Sequence, residues 1–195
     1  MGEWASEEQI PVATNKESSY NTVVIFCHMV ILDASTLILI AKIDLLDPFL
    51  GTLSIRTAIP LAVHLECCGE KKSLDTLMIQ KAVEDSRIQV VAVKNRKSVD
   101  RMEEDFSLGA GEAEAIALAL QLEATLVGID DKNGINACKL LRLPFTTAAG
   151  FLILCRERNL IGKGEAADKL ERLAKYGRYK NSIMDDIRVR LEEYP

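Results

Sequence analysis

Aromatic residues and histidine are scarce in this sequence of 195 residues, and acidic residues outnumber basic ones. Aromatic side chains make up 5% of the chain, and there are two histidines. The net charge is −5, which argues against a simple basic face for nucleic acid. It does not exclude an enzyme that acts on nucleic acid, because bound divalent metals add positive charge that residue counting misses.

Paired cysteines are also missing, since the five cysteines are odd in number and show no CxxC spacing. This pattern is typical of reduced, buried thiols in a cytosolic protein rather than of a disulfide framework. A zinc site would have to combine adjacent cysteines on a helix with distant histidines, which is poor chelating geometry. The residues available for it are Cys27, His28, His64, Cys67 and Cys68.

The chain lacks a basic segment ahead of its first apolar run, and an acid interrupts that run. Residues 1–22 are polar and aperiodic, without the basic region of a signal peptide, so we predict a disordered or loosely ordered leader. Residues 23–41 are apolar except around Asp33, whose burial in a bilayer would cost about 3 kcal/mol. We expect a cytoplasmic protein with no membrane contact and a single domain over residues 23–195.

Apolar runs typical of buried strands alternate with helical patterns along the rest of the chain. Residues 23–32, 88–93 and 124–129 are rich in β-branched side chains, as in strands covered on both faces. Strands separated by helices predict an α/β fold of three layers, α/β/α, with a central parallel sheet and extra C-terminal helices. We expect Leu61 and Leu65, and then Leu74 and Leu77, on the apolar faces of two of the helices.

Two of the predicted strands end in aspartate. Asp33 follows the first strand, and Asp130, with Asp131 as an alternative, follows the strand at 124–129. Because parallel strands place their carboxyl ends at one edge of a sheet, where ligands bind in such folds, we expect these acids to converge. Ser35 or Thr36 is predicted to cap the helix after Asp33.

Three glutamates interrupt otherwise apolar helical segments at Glu66, Glu112 and Glu114. Glu112 and Glu114 point to nearly opposite sides of their helix, and Glu112 is favoured because it opens the helix, although Glu114 stays open. Clustered carboxylates repel each other unless a cation neutralises them. Hard oxygen ligands favour Mg²⁺ or Mn²⁺, which can activate water to attack a phosphodiester.

These acids fall in four short motifs that resemble, in order, the acidic motifs of PIN-domain proteins. The motifs are ILDAS at 31–35, PxxVxxE at 60–66, GEAEAI at 111–116 and VGIDD at 127–131. The resemblance is closest to the prokaryotic branch near VapC-type toxins, and a stretch at 175–184 shares it. It spans about residues 29–193. Glu112 departs from the pattern, since many PIN proteins carry aspartate there.

The resemblance implies a Mg²⁺- or Mn²⁺-dependent endoribonuclease. Its catalytic, metal-binding acids would be Asp33, Glu66, Glu112 and Asp130, with Asp131 as a further metal ligand and Ser35 as a polar substrate-binding helper. The family also implies RNA as substrate, a homodimer and a small antitoxin as partner. Apolar surface near Leu45–Phe49 or in the last two helices is expected at the dimer contact. Candidate contacts to the RNA backbone are Lys94–Lys97, Arg101, Arg156, Arg158, Arg178 and Lys180.

Two other functions fit parts of the pattern. A PIN-like domain without catalysis would bind nucleic acid or protein, although such a domain would typically have lost some of the acids. A phosphotransferase of haloacid-dehalogenase type resembles the sequence from Asp33 to Thr36. That motif requires a second aspartate two residues after the first, where this chain has Ser35.

Overall fold

Short parallel strands form a single central sheet in the computed structural model, which describes residues 29–52, 55–69 and 73–194. The described residues contain five strands, in the spatial order β3-β2-β1-β4-β5. All four neighbouring pairs are parallel. The strands are β1 (Met29–Leu32), β2 (Arg56–Pro60), β3 (Ile88–Val91), β4 (Leu126–Gly128) and β5 (Phe145–Thr146). The predicted leader and the upstream residues 23–28 of the first apolar run lie outside the described residues.

Helices connect the strands and follow the last one. The described residues contain α1 (Ala34–Lys42), α2 (Leu46–Thr52), α3 (Leu61–Cys68), α4 (Leu74–Glu84), α5 (Arg96–Phe106), α6 (Ala110–Gln121), α7 (Lys132–Leu140), α8 (Ala148–Glu157), α9 (Lys163–Tyr176) and α10 (Asn181–Glu193). Within this part of the chain, no helix is long and apolar enough to cross a bilayer.

The sheet separates two apolar cores, which confirms the three-layer α/β/α architecture. Val30 and Leu32 of β1 point into one core, whereas Ile31 points into the other, as alternation along a strand requires. The first core also contains side chains of α1, α2, α4 and α8, and the second contains side chains of α5, α6 and α7. Strand β1 is therefore buried on both faces, as its apolar sequence predicts.

The C-terminal helices α9 and α10 join the first core. Leu170, Leu173, Ile187 and Leu191 are buried there. The ammonium group of Lys169 is buried as well, and it donates hydrogen bonds to the carbonyl oxygens of residues 43 and 44, at 3.2 and 2.7 Å. These bonds satisfy carbonyl groups at the end of α1, so that α9 is held against the helix that follows β1.

The predicted apolar faces of α3 and α4 are wrong. Leu61 and Leu65 are 49% and 63% exposed, and Leu74 and Leu77 are 71% and 54% exposed. Both helices carry apolar residues on several sides, and the residues that point inward are Val63, Cys67, Ile79 and Ala82, of which Ala82 does belong to the expected face. When several faces of a helix are apolar, the neighbours that pack against it determine which face is buried.

The dimer surface expected near Leu45–Phe49 is also wrong. Leu45, Leu46 and Phe49 are fully or almost fully buried. The Phe49 ring packs edge-on against Phe151 of α8, with 4.7 Å between ring centroids. Helix α2 is part of the core and offers none of these side chains to a partner.

Candidate functional site

Asp33 and Asp130 lie side by side at the carboxyl edge of the sheet. Strands β1 and β4 pair in parallel with Leu32 opposite Gly128, and the Asp33 backbone N–H donates to the Gly128 carbonyl at 3.0 Å. The next residues of both strands therefore leave the sheet together. We call Asp33 and Asp130 the inner pair, and the predicted convergence of these two acids agrees with this geometry.

Asp33 is fully buried and is itself the N-cap of α1. One carboxylate oxygen accepts a hydrogen bond from the Thr36 backbone N–H at 2.7 Å, and the other accepts one from the Ser35 hydroxyl at 2.6 Å. The expectation that Ser35 or Thr36 caps this helix is wrong, because α1 begins earlier, at Ala34. Ser35 instead holds the carboxylate of the first acid.

Asp130 binds three different elements through its carboxylate. One oxygen accepts from the Thr36 hydroxyl at 2.8 Å and from the Ala148 backbone N–H at the start of α8 at 2.9 Å. The other oxygen accepts from the hydroxyl of Tyr179, in the segment between α9 and α10. Thr36 thus links the two acids, since its backbone binds Asp33 and its side chain binds Asp130.

Burial dominates the electrostatics of the inner pair. Removal from water raises the pKa of Asp33 to about 7, while hydrogen bonds from Ser35 and Thr36 lower the pKa and the Asp130 charge raises it. The pKa of Asp130 is also raised, chiefly by burial. Neighbouring carboxylates with raised pKa values resist ionisation when no cation compensates them, and a divalent cation beside them would stabilise their charged forms.

The raised pKa of Asp33 predicts how stability depends on pH in EDTA. The carboxyl of the unfolded chain ionises near pH 4, whereas in the folded protein it ionises near 7, so stability present below pH 4 is lost as pH rises through 7. Between pH 5 and pH 8 this one group should lower the free energy of unfolding by about 3 kcal/mol. Urea denaturation of the wild type and of Asp33→Asn at both pH values measures the difference. Parallel pH profiles for the two proteins would contradict the assignment.

Glu66, Glu112 and Asp131 form a second, more accessible group, which we call the outer acids. The charges of Asp131 and Glu66 contribute to the raised pKa of Glu112, after burial as the larger cause. The carboxylate of Glu66 lies 3.1 Å from the position that a Cβ at Gly111 would occupy. The absence of a side chain at Gly111 thus leaves room for Glu66 beside the start of α6.

Glu112 and Asp131 also stabilise helix starts. Glu112 accepts from the Gly109 backbone N–H at 3.1 Å, which is half of a capping box at α6, since the glycine at the N-cap has no side chain to supply the other half. Asp131 is the N-cap of α7 and accepts from the backbone N–H groups of Asn133 and Gly134, at 2.6 and 3.3 Å, through a single oxygen. In both residues these bonds engage one carboxylate oxygen only.

Glu114 has contacts that differ from those of the outer acids. It is buried, and it accepts a hydrogen bond from the Ala62 backbone N–H at 3.1 Å, in the first turn of α3. Its other oxygen pairs with the Arg96 guanidinium from α5. Glu114 therefore holds three helices together, which favours Glu112 as the glutamate that faces the site. His64, a candidate zinc ligand, is only partly buried on α3.

The donor chemistry of these acids fits a hard divalent cation. Within residues 29–52, 55–69 and 73–194, no three His, Cys, Asp or Glu side chains form a ready-made metal site. Among the candidate zinc ligands, Cys27 and His28 lie outside the described residues, and Cys67 is buried with its thiol pKa raised to about 12, mainly by burial, which disfavours the thiolate that zinc binds. Mg²⁺ needs no complete protein cage, because it keeps several waters and usually binds one or two carboxylates.

Sequence reasoning missed Tyr179 and the linking role of Thr36. The Tyr179 hydroxyl contacts Asp130 across 49 sequence positions, which no local pattern can indicate. The only signal was that Tyr179 belongs to the stretch at 175–184 that shares the resemblance. Thr36 was considered only as a helix cap, whereas its hydroxyl joins the two strand-end acids.

The comparison with known families agrees with the geometry of the site. A family model described as a PIN domain matches residues 29–193 of the chain. This range includes both the inner pair and the outer acids. A search of the curated proteins finds no match.

Proposed function

The chain belongs to the PIN-domain family, and on that premise we propose that it is a metal-dependent endoribonuclease. PIN domains are generally nucleases that act on nucleic acids, and they typically use divalent metal ions. The observation that carries the proposal is the inner pair, a fully buried carboxylate (Asp33) and a partly buried one (Asp130) that lie together at the ligand-binding edge of the sheet. Acids whose pKa values are raised in this way cluster at functional sites.

We assign Asp33 and Asp130 to hold a Mg²⁺ or Mn²⁺ ion, with Glu66, Glu112 and Asp131 reached through water or substrate. When bound, the cation supplies a water of lowered pKa and stabilises the leaving oxygen of the phosphodiester. Ser35 and Thr36 orient the Asp33 carboxylate, and Thr36 and Ala148 orient that of Asp130. Because Ser35 donates a hydrogen bond to Asp33, we propose that it orients this metal-binding carboxylate. The family suggests in addition that Ser35 lies close to the bound substrate.

Exposed cations near the site support RNA as the substrate. Arg178 and Lys180 are exposed and flank Tyr179, whose hydroxyl reaches Asp130. Cations at this position can neutralise the phosphates next to the scissile bond. Arg156, an earlier candidate for RNA contact, is wrong for that role, since it is buried and donates to the Tyr194 carbonyl at 2.6 Å.

A labelled RNA panel incubated with Mn²⁺, Mg²⁺ or EDTA tests this function. The proposal expects internal cleavage of at least one RNA with either metal and none in EDTA. Cleavage that persists in EDTA would contradict metal dependence. Metal binding without cleavage of any RNA would favour the alternative, a non-catalytic PIN-like domain that binds nucleic acid or protein.

Substitutions of the two glutamates of α6 should have different effects on RNA cleavage in the same assay. Glu112→Gln keeps the capping geometry but removes the charge beside Glu66 and Asp131, and we expect activity to fall at least about tenfold. Glu114→Gln keeps an acceptor for the Ala62 N–H but loses the charge beside Arg96. Because Arg96 is 59% exposed, we expect the free energy of unfolding to fall by less than about 1 kcal/mol, with activity nearly unchanged.

The reverse result, with activity lost in Glu114→Gln and kept in Glu112→Gln, would exchange their roles. Thermal unfolding in EDTA should accompany both assays. It separates a loss of catalytic charge from a loss of folded protein.

The biological setting is a further part of the proposal. An RNA substrate and free cysteines at 67, 68, 138 and 155 favour the cytoplasm. The family suggests the toxin of a toxin–antitoxin pair, and a small neighbouring gene for a DNA-binding protein would support that role. It also suggests a homodimer, and the exposed leucines of α3 and α4 offer apolar surface for such a contact.

A further inference from the structure

The segment between α9 and α10 reaches the candidate site through one side chain. We propose that Tyr179 is a positioning residue, which holds the Asp130 carboxylate in the orientation that binds the divalent cation. This inference rests on the proposed metal site. It adds the C-terminal helices to the parts of the chain that determine metal affinity.

The hydrogen bonds of Asp130 show what Tyr179 contributes. A carboxylate offers about four lone-pair directions to donors or cations. Thr36 and Ala148 share one oxygen, and among the described residues Tyr179 is the donor to the other. With three directions filled, about one remains for a cation or for its water. Without the Tyr179 hydroxyl, the second oxygen would lose its donor, and the carboxylate would be held through the oxygen that Thr36 and Ala148 bind.

The backbone near Tyr179 is shaped to receive its ring. A Cβ at Gly177 would lie 2.6 Å from two ring carbons of Tyr179 and 2.9 Å from the Leu173 carbonyl oxygen. Real Cβ atoms do not approach so closely, so the ring can rest on this backbone only because residue 177 is glycine. Gly177 itself has ordinary extended dihedral angles, φ −86° and ψ 163°, and its role is one of space.

The helices on either side anchor this arrangement to the core. Leu173 of α9 and Met184 of α10 are buried in the first core, and the Tyr179 ring packs against the same core. The Thr147 side chain and the Ala149 backbone, at the start of α8, lie near the Tyr179 hydroxyl. Its position is therefore fixed by packing from one side and by α8 from the other. Such support is what keeps a ligand-orienting group effective.

Tyr179→Phe tests the role, because it removes the hydroxyl and keeps the ring. Calorimetric titration of the full chain with Mn²⁺ should show a Kd about tenfold weaker than that of the wild type. The Tm in EDTA should change little, and saturating Mn²⁺ should restore whatever cleavage the wild type shows. Tyr176→Phe is the matched control, since Tyr176 is 45% exposed and its ring faces Lys42 and Lys175. Its Mn²⁺ affinity should equal that of the wild type.

Gly177→Ala provides a second variant, which displaces the ring and keeps the hydroxyl, and it should also weaken Mn²⁺ binding. A wild-type Kd for Mn²⁺ in Tyr179→Phe would overturn the inference, whether or not its Tm falls. Weaker binding by Tyr179→Phe with no RNA cleavage by any variant would support the inference and overturn the nuclease proposal. Failure of the wild type to bind Mn²⁺ would overturn both.

Discussion

Replacement of Asp33 by asparagine should abolish RNA cleavage while the protein stays folded. Asparagine is nearly isosteric and is itself a good N-cap, so its amide oxygen can still accept from the Thr36 N–H. The substitution removes the negative charge that the cation requires. We expect the rate to fall by roughly a hundredfold to a thousandfold, the range seen when one group that stabilises developing charge is lost.

The same substitution should leave stability intact or raise it at pH 8 in EDTA, because the wild type must bury a charge there. Asp47→Asn is the matched control. Asp47 lies on α2, its side chain is 72% exposed, and it pairs with Arg87. Cleavage rates in Mn²⁺ and urea denaturation of all three proteins give the result. Asp33→Asn with the wild-type cleavage rate would show that the site has been assigned to the wrong acid.

Gly128→Ala should destabilise the protein strongly. The added Cβ would lie 2.5 Å from Leu32 Cδ2, 2.9 Å from Phe151 Cε2 and 3.2 Å from Thr36 Cγ2. Leu32 and Phe151 are fully buried and have no free space to move into. Overpacking of this kind costs about 1–3 kcal/mol, and we expect the upper end, a Tm lower by roughly 5–10 °C.

Activity should fall in Gly128→Ala as well, because displacement of Thr36 disturbs the hydroxyl that joins the inner pair. Gly164→Ala is a control variant for which the same change, glycine to alanine, should have the opposite effect on stability. Gly164 lies in the first turn of α9 with nothing within 4 Å of an added Cβ, so alanine should raise stability by about 0.5 kcal/mol. Thermal unfolding measures both the expected fall in the Tm of Gly128→Ala and the expected rise in the Tm of Gly164→Ala. An unchanged Tm in Gly128→Ala would mean that the β4–α8 contact repacks freely.

Local sequence patterns were enough to predict the layers and the position of the inner pair. The apolar runs at β1 and β4 are buried on both faces, as in a parallel sheet, and each ends in an aspartate at the same edge. Both features are local, since they depend on which residues are apolar and on where each run stops. The order of the four acidic motifs then pointed to the family, and the match over residues 29–193 confirms it.

Local pattern failed where packing partners come from distant parts of the chain. The apolar periodicity of α3 included Leu61 and Leu65, but α3 turns Val63 and Cys67 to the core and leaves the two leucines exposed. The sequence pattern also placed the N-cap of α1 too late, at Ser35 or Thr36. Asp33 takes that position because its carboxylate already stands at the strand end, next to the free N–H groups of the helix.

The sequence by itself determined that two strands end in aspartate, because burial and strand ends are encoded in neighbouring residues, whereas the pairing of these strands, β1 with β4, belongs to the tertiary structure. Only the tertiary structure decided what each acid contacts. It turned Glu114 toward Ala62 and Arg96, left Glu112 with the outer acids, and brought Tyr179 to Asp130. Those contacts join residues from 18 to 52 positions apart, and their distances depend on how the helices pack rather than on any short motif.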